Sequence, residues 1–197
     1  TRFARSACMI KTLTLPMVWN RYGSSYGSAA DEIRLGWRQF NFINYKYNSW
    51  AKFDVSEVLA LNLQVKHIVS AKIVMFLNTT DNSVSCKVYN TLKPATSGAT
   101  WNTYNGTNSW TVSGGEGSGT DHGSELANAS NFGQVTVEIP LSGAALMEAV
   151  VTSNGIFSFI TTSPQGINDY IVAWGTSNPP YLSVTYNKPS MFDVIIF

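Results

Sequence analysis

Hydrophobic and polar residues alternate with a period of two along much of the chain, in short runs separated by Gly, Asn, Asp and Ser. Successive side chains of a β-strand point to opposite faces of the sheet, so this alternation is typical of half-buried strands. The alternating or apolar runs span residues 33–37, 51–55, 71–77, 84–88, 135–139, 155–162, 170–174 and 181–186. The pattern therefore predicts an all-β jelly-roll sandwich of about eight or nine short strands.

Two segments depart from this period. Residues Gly143 to Val151 are rich in strong helix formers, and Ser142 precedes them as a candidate N-cap, which predicts one short helix connecting two strands. The segment from Ser113 to Asn131 is rich in Gly, Ser and Asn and has no period. It is longer than most passive loops, so we expect either a binding loop or a mobile connection there.

Length and composition favour a single domain over residues 1–197, which at this size should bury roughly 70% of its unfolded surface. Charged residues make up 13% of the chain, and 13 basic residues nearly balance 12 acidic ones. This balance predicts no nucleic-acid partner, because such partners require a basic surface. No apolar run approaches the ~18 residues of a membrane-spanning helix, so we also expect no membrane span.

The two cysteines leave the cellular compartment open. Cys86 alternates with Val84 and Val88, as an inward-facing strand residue would. We therefore expect Cys86 to be a buried thiol rather than the partner of Cys8 in a disulfide.

Groups suited to catalysis are few. His67 precedes an apolar run and is expected at the surface, and His122 is expected in a solvated loop. No zinc-protease, Walker or dinucleotide-binding motif occurs. The nearest carboxylate pairs in sequence are Asp31 with Glu32 and Asp54 with Glu57. We expect no enzyme and no catalytic residues.

Metal ligands are equally sparse. We expect no cofactor and no catalytic metal. A structural calcium ion is the one ion that remains open, because it requires several converging oxygen atoms. Its candidate ligands are Asp121, Glu125 and Asp169.

Five sequence pieces occur in a characteristic order. They are Tyr22-Gly-Ser-Ser with Glu32-Ile-Arg-Leu-Gly, Ala51-Lys-Phe-Asp-Val-Ser, Ile68-Val-Ser-Ala-Lys-Ile, Ala99-Thr-Trp-Asn with Trp110, and Pro180-Tyr-Leu-Ser-Val-Thr-Tyr. Together they resemble the DNRLRE domain, the disaggregatase-related family that is similar to alginate-type carbohydrate-binding modules. The resemblance covers about residues 20–187. It implies a jelly-roll sandwich that binds polysaccharide without enzymatic activity, with Asp54 as a structural residue at a strand end.

Aromatic side chains are the candidate ligand-binding groups, since flat rings pack against the CH groups of pyranose sugars. Residues 38–49 form an expected aromatic loop, and residues 105–109 form a second polar stretch. The candidates within or beside these stretches are Tyr45, Tyr47, Tyr104 and Trp110. We predict that these four are exposed, and we expect Trp101 and Trp174 to lie in the core.

Both ends extend beyond the family-like part. In the N-terminal arm, residues 1–19, the side chains of Met9, Lys11, Leu13 and Leu15 alternate on one face. The C-terminal strand, residues 188–197, ends in the apolar run Met191-Phe-Asp-Val-Ile-Ile-Phe. An apolar strand must be covered by its own domain or pair with a neighbour. These strands therefore either complete the same sandwich or add to another copy.

The leading hypothesis is a non-catalytic carbohydrate-binding or adhesion-type interaction module, displayed on a surface. Its partner would be a polysaccharide or surface glycan, with self-association or other subunits of an assembly as further partners. The expected location is extracellular, at the cell surface or on a virion. The alternative is a structural or decorating subunit of a virion or filament, assembled partly through its terminal strands. The basic first ten residues lead into no apolar run with a small-residue cleavage site, so we expect no signal peptide. A leading Thr is also what removal of an initiator Met would leave, and both expectations favour the alternative.

Overall fold

The computed structural model describes residues 9–166, 168–174 and 177–188 of the chain. The strands in these ranges are β1 (Ile10–Gly23), β2 (Ser28–Ala30), β3 (Glu32–Phe40), β4 (Ile43–Phe53), β5 (Ile68–Thr79), β6 (Cys86–Thr91), β7 (His122–Ala129), β8 (Thr136–Leu141), β9 (Ile156–Thr161), β10 (Tyr170–Trp174) and β11 (Tyr181–Asn187). The helices are α1 (Ser56–Ala60) and α2 (Gly143–Ser153). No helix in the described ranges is long and apolar enough to cross a membrane.

The strands form two antiparallel layers. One layer has the order β8-β5-β11-β1, and the other has the order β7-β6-β9-β4-β1-β2. The long strand β1 belongs to both, because residues 10–16 pair with β11 and residues 17–23 pair with β4. The two layers are joined a second time by β10 and β3. Strand β10 pairs with β5 and with β3, and β3 pairs with β4. This arrangement confirms the predicted all-β sandwich, and α2 is the predicted connecting helix, whereas the five-residue α1 was not predicted.

The main core lies between the two layers. Its side chains come from alternating positions, as Leu182, Val184 and Tyr186 show in β11. Cys86 is fully buried in this core as a free thiol, which confirms the expected burial. Its candidate disulfide partner Cys8 lies outside the described residues.

Helix α2 forms where local composition predicted it. The Ser142 hydroxyl caps the first turn by accepting a hydrogen bond from the Ala145 N–H, at 3.0 Å. Asn154 ends the helix in the left-handed conformation, with φ at 50°. Leu146 and Ala149 face inward and are fully buried.

One predicted loop is largely strand and a second contains a strand, which corrects the sequence interpretation. Residues 38–49 form most of the β3–β4 hairpin, and β7 occupies much of the segment from Ser113 to Asn131. The run predicted at residues 135–139 extends through Pro140, which would be expected to end a strand, because β8 continues to Leu141. Among the described strands β8 pairs with β5 alone, and an edge strand tolerates the missing N–H of proline.

The described part of the N-terminal arm belongs to its own sandwich. Leu13 and Leu15 are buried, and the backbone of residues 10–16 pairs with β11 of the same chain. Exchange of this part between copies is therefore not supported by the fold. The predicted apolar strand at residues 191–197 lies outside the described residues.

Candidate functional site

The tip of the β3–β4 hairpin presents apolar side chains to solvent. Phe40 pairs with Ile43 across a two-residue turn formed by Asn41 and Phe42. Both turn residues have positive φ, 49° and 63°, as a type I′ turn requires. Asn is common in such turns, whereas Phe in place of the usual Gly costs about 1 kcal/mol or more. The Phe42 side chain is nevertheless 95% exposed, so no packing within the described residues compensates this strain.

Beside the tip lies a group that we call the aromatic–arginine cluster. It consists of Tyr22, Tyr26, Phe40, Tyr45, Tyr47 and Tyr170, together with Arg34 and Arg38. In its outer half, the Tyr26 ring lies 5.0 Å from that of Phe40 and 5.2 Å from that of Tyr45. Tyr45 and Tyr47 are two residues apart on β4 and therefore share a face. They join the outer half to the inner half.

The inner half is a packed support. The Tyr47 ring lies 5.6 Å from that of Tyr22, edge to face, and 6.5 Å from that of Tyr170. The Arg34 guanidinium lies 4.4 Å from the centre of the Tyr22 ring and is held by Glu32 at 2.7 Å. Burial raises the pKa of the Tyr22 phenol, although the charge of Arg34 acts in the opposite direction. Tyr22 is therefore neutral at physiological pH.

The outer half is open to solvent. The Tyr26 side chain is 58% exposed, and Phe40 is also exposed. The Arg38 guanidinium lies 5.5 Å from the centre of the Tyr170 ring, and no acidic group of the described residues forms an ion pair with it. Exposed ring faces next to an unpaired guanidinium can stack on a ligand and donate hydrogen bonds to its oxygen atoms.

A glycine in β3 brings the neighbouring strand close to this cluster. Gly36 has φ of 106°, which side chains rarely adopt, and a Cβ there would overlap the carbonyl oxygen of Asp169. Its N–H donates to the hydroxyl of Thr161 at 2.8 Å, and that hydroxyl donates to the carbonyl of Tyr47. This chain of hydrogen bonds holds β3, β4 and β9 in a fixed relation behind the cluster.

Two of the four predicted site residues belong to this cluster, but only one of them is accessible. Tyr45 is half-buried and contacts the exposed ring of Tyr26. Tyr47 is only 3% exposed, so its predicted exposure is wrong. The reason is tertiary, because Tyr22 and Tyr170 cover its ring from strands that are distant in sequence.

The other two predicted residues lie on the outer connection, residues 92–121 between β6 and β7. Trp110 is only 5% exposed, which also contradicts the prediction, and its indole N–H donates to the carbonyl of Thr100 at 2.9 Å. Tyr104 is half-buried, with its ring edge-on to Trp110 at 5.7 Å. Both residues help to form a second, smaller core on the outer face of β4 and β9. Its buried members are Trp50, Ala95, Ala99, Trp110 and Ile156.

Of the two tryptophans expected in the core, the structure describes the side chain of Trp101 only, and its position does not confirm the expectation. Trp101 is only half-buried, and its ring fills the space that a Cβ on Gly114 would occupy. The side chain of Trp174 lies outside the described part of the structure.

Asp121 organises the outer connection. It is fully buried, and its carboxylate accepts hydrogen bonds from the N–H groups of Thr111 and Val112, both at 2.8 Å, and from that of Gly117 at 3.1 Å. Glu125 forms an ion pair with Lys87 at 2.7 Å. Two of the three candidate calcium ligands thus have protein partners. Within the described ranges no three metal-ligating side chains converge, and a structural calcium ion stays a prediction.

Both histidines are buried, so their predicted solvent-facing positions are wrong. The Nδ1 atom of His67 accepts a hydrogen bond from the Gln64 N–H at 3.0 Å, in a capping box that starts a short 3₁₀ turn. The ring of His122 packs 4.0 Å from that of Tyr89, across the β6–β7 pair. The residues adjacent in sequence indicated neither of these structural contacts.

One carboxylate of each sequence-adjacent pair has a structural role. Glu32 neutralises Arg34, as described above. Asp54 accepts a hydrogen bond from the Ser56 N–H at 3.0 Å, just before α1. Hydrogen bonds from Ser56 lower the pKa of Asp54 below its usual range, so it stays ionised and is a poor proton donor.

Sequence reasoning did not select the other members of the aromatic–arginine cluster. The signal for them was present in the residues around Asn41 and Phe42, where two alternating runs flank a two-residue polar-aromatic turn. That signal identifies a hairpin, and a hairpin places Arg38 opposite Tyr45. The contributions of Tyr22, Tyr26 and Tyr170 come from other strands and depend on the fold.

No family model matches the chain, and no curated protein matches it either. The resemblance to the DNRLRE family therefore stays a prediction, and a functional proposal has to rest on the geometry of the site.

Proposed function

We propose that the protein is a non-catalytic carbohydrate-binding or adhesion-type module that holds a polysaccharide or surface glycan. The observation that carries this proposal is the open outer half of the aromatic–arginine cluster, where Tyr26, Phe40 and Tyr45 form mutual ring contacts. In this function the module is displayed on a surface, either extracellular, at the cell surface or on a virion.

The chemistry of this half suits a sugar. Pyranose rings present CH groups that pack on aromatic faces, and hydroxyl groups that accept hydrogen bonds. Tyr26 supplies an exposed ring, and Arg38 supplies donors in a planar fork. Tyr45 and Phe40 lie on paired strands, so little conformational entropy is lost when a ligand binds.

The non-catalytic part of the proposal is supported by what the reactive groups do. Asp121 binds three backbone N–H groups, and hydrogen bonds from Ser56 keep the pKa of the Asp54 carboxyl below its usual range. Burial raises the pKa of the Cys86 thiol to about 12, far from that of an activated nucleophile. Each of these groups contributes to structure rather than to a poised acid, base or nucleophile.

A glycan array followed by affinity gel electrophoresis tests the proposal. We expect retention of the full chain by at least one polysaccharide. For Tyr26→Ala we expect a loss of up to about tenfold in affinity, since one stacked aromatic contributes roughly 0.5–1.5 kcal/mol. Val69→Ala removes a comparably exposed side chain of β5 and serves as the control, with unchanged retention. Absence of retention by every polysaccharide tested would contradict the proposal.

A second candidate function is a structural or decorating subunit of a virion or filament. The observation that favours it is the strained and exposed Phe42 at the hairpin tip, which is suited to contact with another subunit. If terminal strand exchange drives such assembly, deletion of residues 191–197 should abolish it. Assembly of the truncated chain at normal concentration would exclude strand exchange.

A further inference from the structure

The chain carries both a protruding apolar tip and a cleft of suitable size to receive it. The tip is the turn Asn41-Phe42 with its flanking residues Phe40 and Ile43, all of them exposed. The cleft has a volume of about 340 Å³, at the lower end of the range for pockets that accept small ligands. The described residues that line it are Phe76, Leu77, Asn78, Val135, Ser177 and Asn178.

The chemistry of the two features matches. Phe76, Leu77 and Val135 give the cleft apolar walls, and none of its described lining residues carries a charge. The tip likewise consists of two phenylalanines and an isoleucine beside one asparagine. A phenyl ring that enters such a cleft removes apolar surface from water without desolvating a charge, which is favourable.

The tip cannot reach the cleft of its own chain. Leu77 in the cleft pairs with Ala173 of β10, and Ala173 pairs with Ile33 of β3. The tip begins at Phe40, seven residues further along β3 (40 − 33 = 7). At about 3.3 Å per residue these seven residues separate the tip from the level of the cleft by about 23 Å. Only a second molecule can bring the two together.

We infer that the hairpin tip of one copy inserts Phe42 into the Phe76–Val135 cleft of a second copy. Because the two surfaces differ, the contact is either reciprocal, which closes a twofold dimer, or one-way, which leads to a ring or an open filament. The net charge of +1 opposes association only weakly. This contact lies at the hairpin tip and involves no terminal strand.

The single contact is weak. A two-residue turn in a cleft of this size buries much less than the roughly 1,000 Å² of a stable interface, so the association is concentration-dependent. Many copies held on one surface would strengthen it through avidity.

Sedimentation velocity over a range from about 10 µM to about 1 mM, which brackets weak affinities, measures the association directly. We expect the unmodified chain to form larger species with rising concentration, and Phe42→Gly to remain a monomer. Gly adopts positive φ without strain, so this variant keeps the turn and the fold. Val151→Ala removes an exposed valine of α2 and should associate like the unmodified chain. A monomeric unmodified chain, or unchanged association of Phe42→Gly, overturns the inference.

Disulfide trapping identifies the contact itself. In a background with Cys8→Ser, the buried Cys86 thiol is inert because its pKa is raised to about 12. With copper(II)–phenanthroline as the oxidant, mixing the single-site variants Ile43→Cys, which keeps Phe42, and Asn178→Cys should give a mixed disulfide dimer. It should form about tenfold faster than when Ile43→Cys is mixed with Val151→Cys, because only the first pair is held in contact. Equal rates for the two mixtures overturn the inference. Capture of the unmodified chain by phosphatidylcholine vesicles, without self-association, would also overturn the inference, because it would assign the tip to a lipid surface.

The two proposals fail separately. Tyr26→Ala should reduce polysaccharide retention and leave sedimentation unchanged, whereas Phe42→Gly should do the opposite. Loss of both properties in both variants assigns them to a single shared surface and overturns the insertion of Phe42 into the cleft of a second copy.

Discussion

Trp110 lies flat against Trp50, with ring centroids 5.0 Å apart and ring planes at 20° to each other. Trp50 is fully buried on β4, whereas Trp110 comes from the outer connection. Their contact fixes a thirty-residue segment, residues 92–121, onto the outer face of the sandwich. A residue that sequence reasoning assigned to ligand binding is therefore an anchor of the fold.

Replacement of Trp110 tests this role. We expect Trp110→Ala to lower the free energy of unfolding by about 3–5 kcal/mol, because a large buried ring is lost and a cavity remains. Urea denaturation measures the change. At a low temperature at which Trp110→Ala is still folded, its polysaccharide retention should be unchanged. The reason is that the aromatic–arginine cluster does not include this ring. Loss of retention at unchanged stability would return Trp110 to the ligand site.

Asp121 should be equally important for the outer connection. Asp121→Asn replaces one of the two carboxylate oxygens by a donor that faces N–H groups, so about 2 kcal/mol or more of unfolding free energy should be lost. Asp31→Asn is the matched control, because Asp31 is exposed and its φ of 66° is one that Asn also adopts readily. Chemical denaturation of both variants should separate them clearly. Equal stability of the two would contradict the assigned role of Asp121.

Gly36 is the position where a single methyl group should have the largest effect on the candidate site. Gly36→Ala places a Cβ against the Asp169 carbonyl at φ of 106°, which should cost at least about 2 kcal/mol and displace β10 from β3. Gly27→Ala is the control, since no atom lies within 4 Å of its added Cβ. Thermal unfolding reports the stability, and affinity electrophoresis reports the site. A Gly36→Ala protein of normal stability would show that the contact between Gly36 and the Asp169 carbonyl can relax at little cost.

The buried thiol of Cys86 gives a prediction about alkaline pH. Its pKa is raised from 9.0 to about 12 in the folded state, so the folded protein holds the proton more tightly than the unfolded chain does. This contribution to stability is fully present below pH 9.0 and is lost as the pH rises towards about 12. Across that window the free energy of unfolding should fall by up to about 1.4 kcal/mol per pH unit from this group. Cys86→Ala, compared by urea denaturation at each pH, should lack this component of the slope. Parallel pH profiles for the two proteins would contradict it.

Local sequence determined the features that depend on near neighbours. The helix from Gly143 to Ser153 follows from strong helix formers and from a serine that caps its own chain three residues on. The strand β11 follows from the alternation of Leu182, Val184 and Tyr186 with smaller polar residues. The all-β class follows from the repetition of such runs, because one face of each strand must be buried.

The tertiary structure alone decided which aromatic rings are accessible. Tyr47 and Trp110 stand among polar residues in the sequence, and each is buried by a residue at least twenty-five positions away, Tyr22 in one case and Trp50 in the other. Phe42 has an aromatic neighbourhood in the sequence and is almost completely exposed in the structure. Whether a ring is buried depends on which other residue covers it. Strand pairing between segments that are distant in sequence determines that residue. Periodicity therefore predicted the sandwich, whereas it did not predict which aromatic side chains form the candidate site.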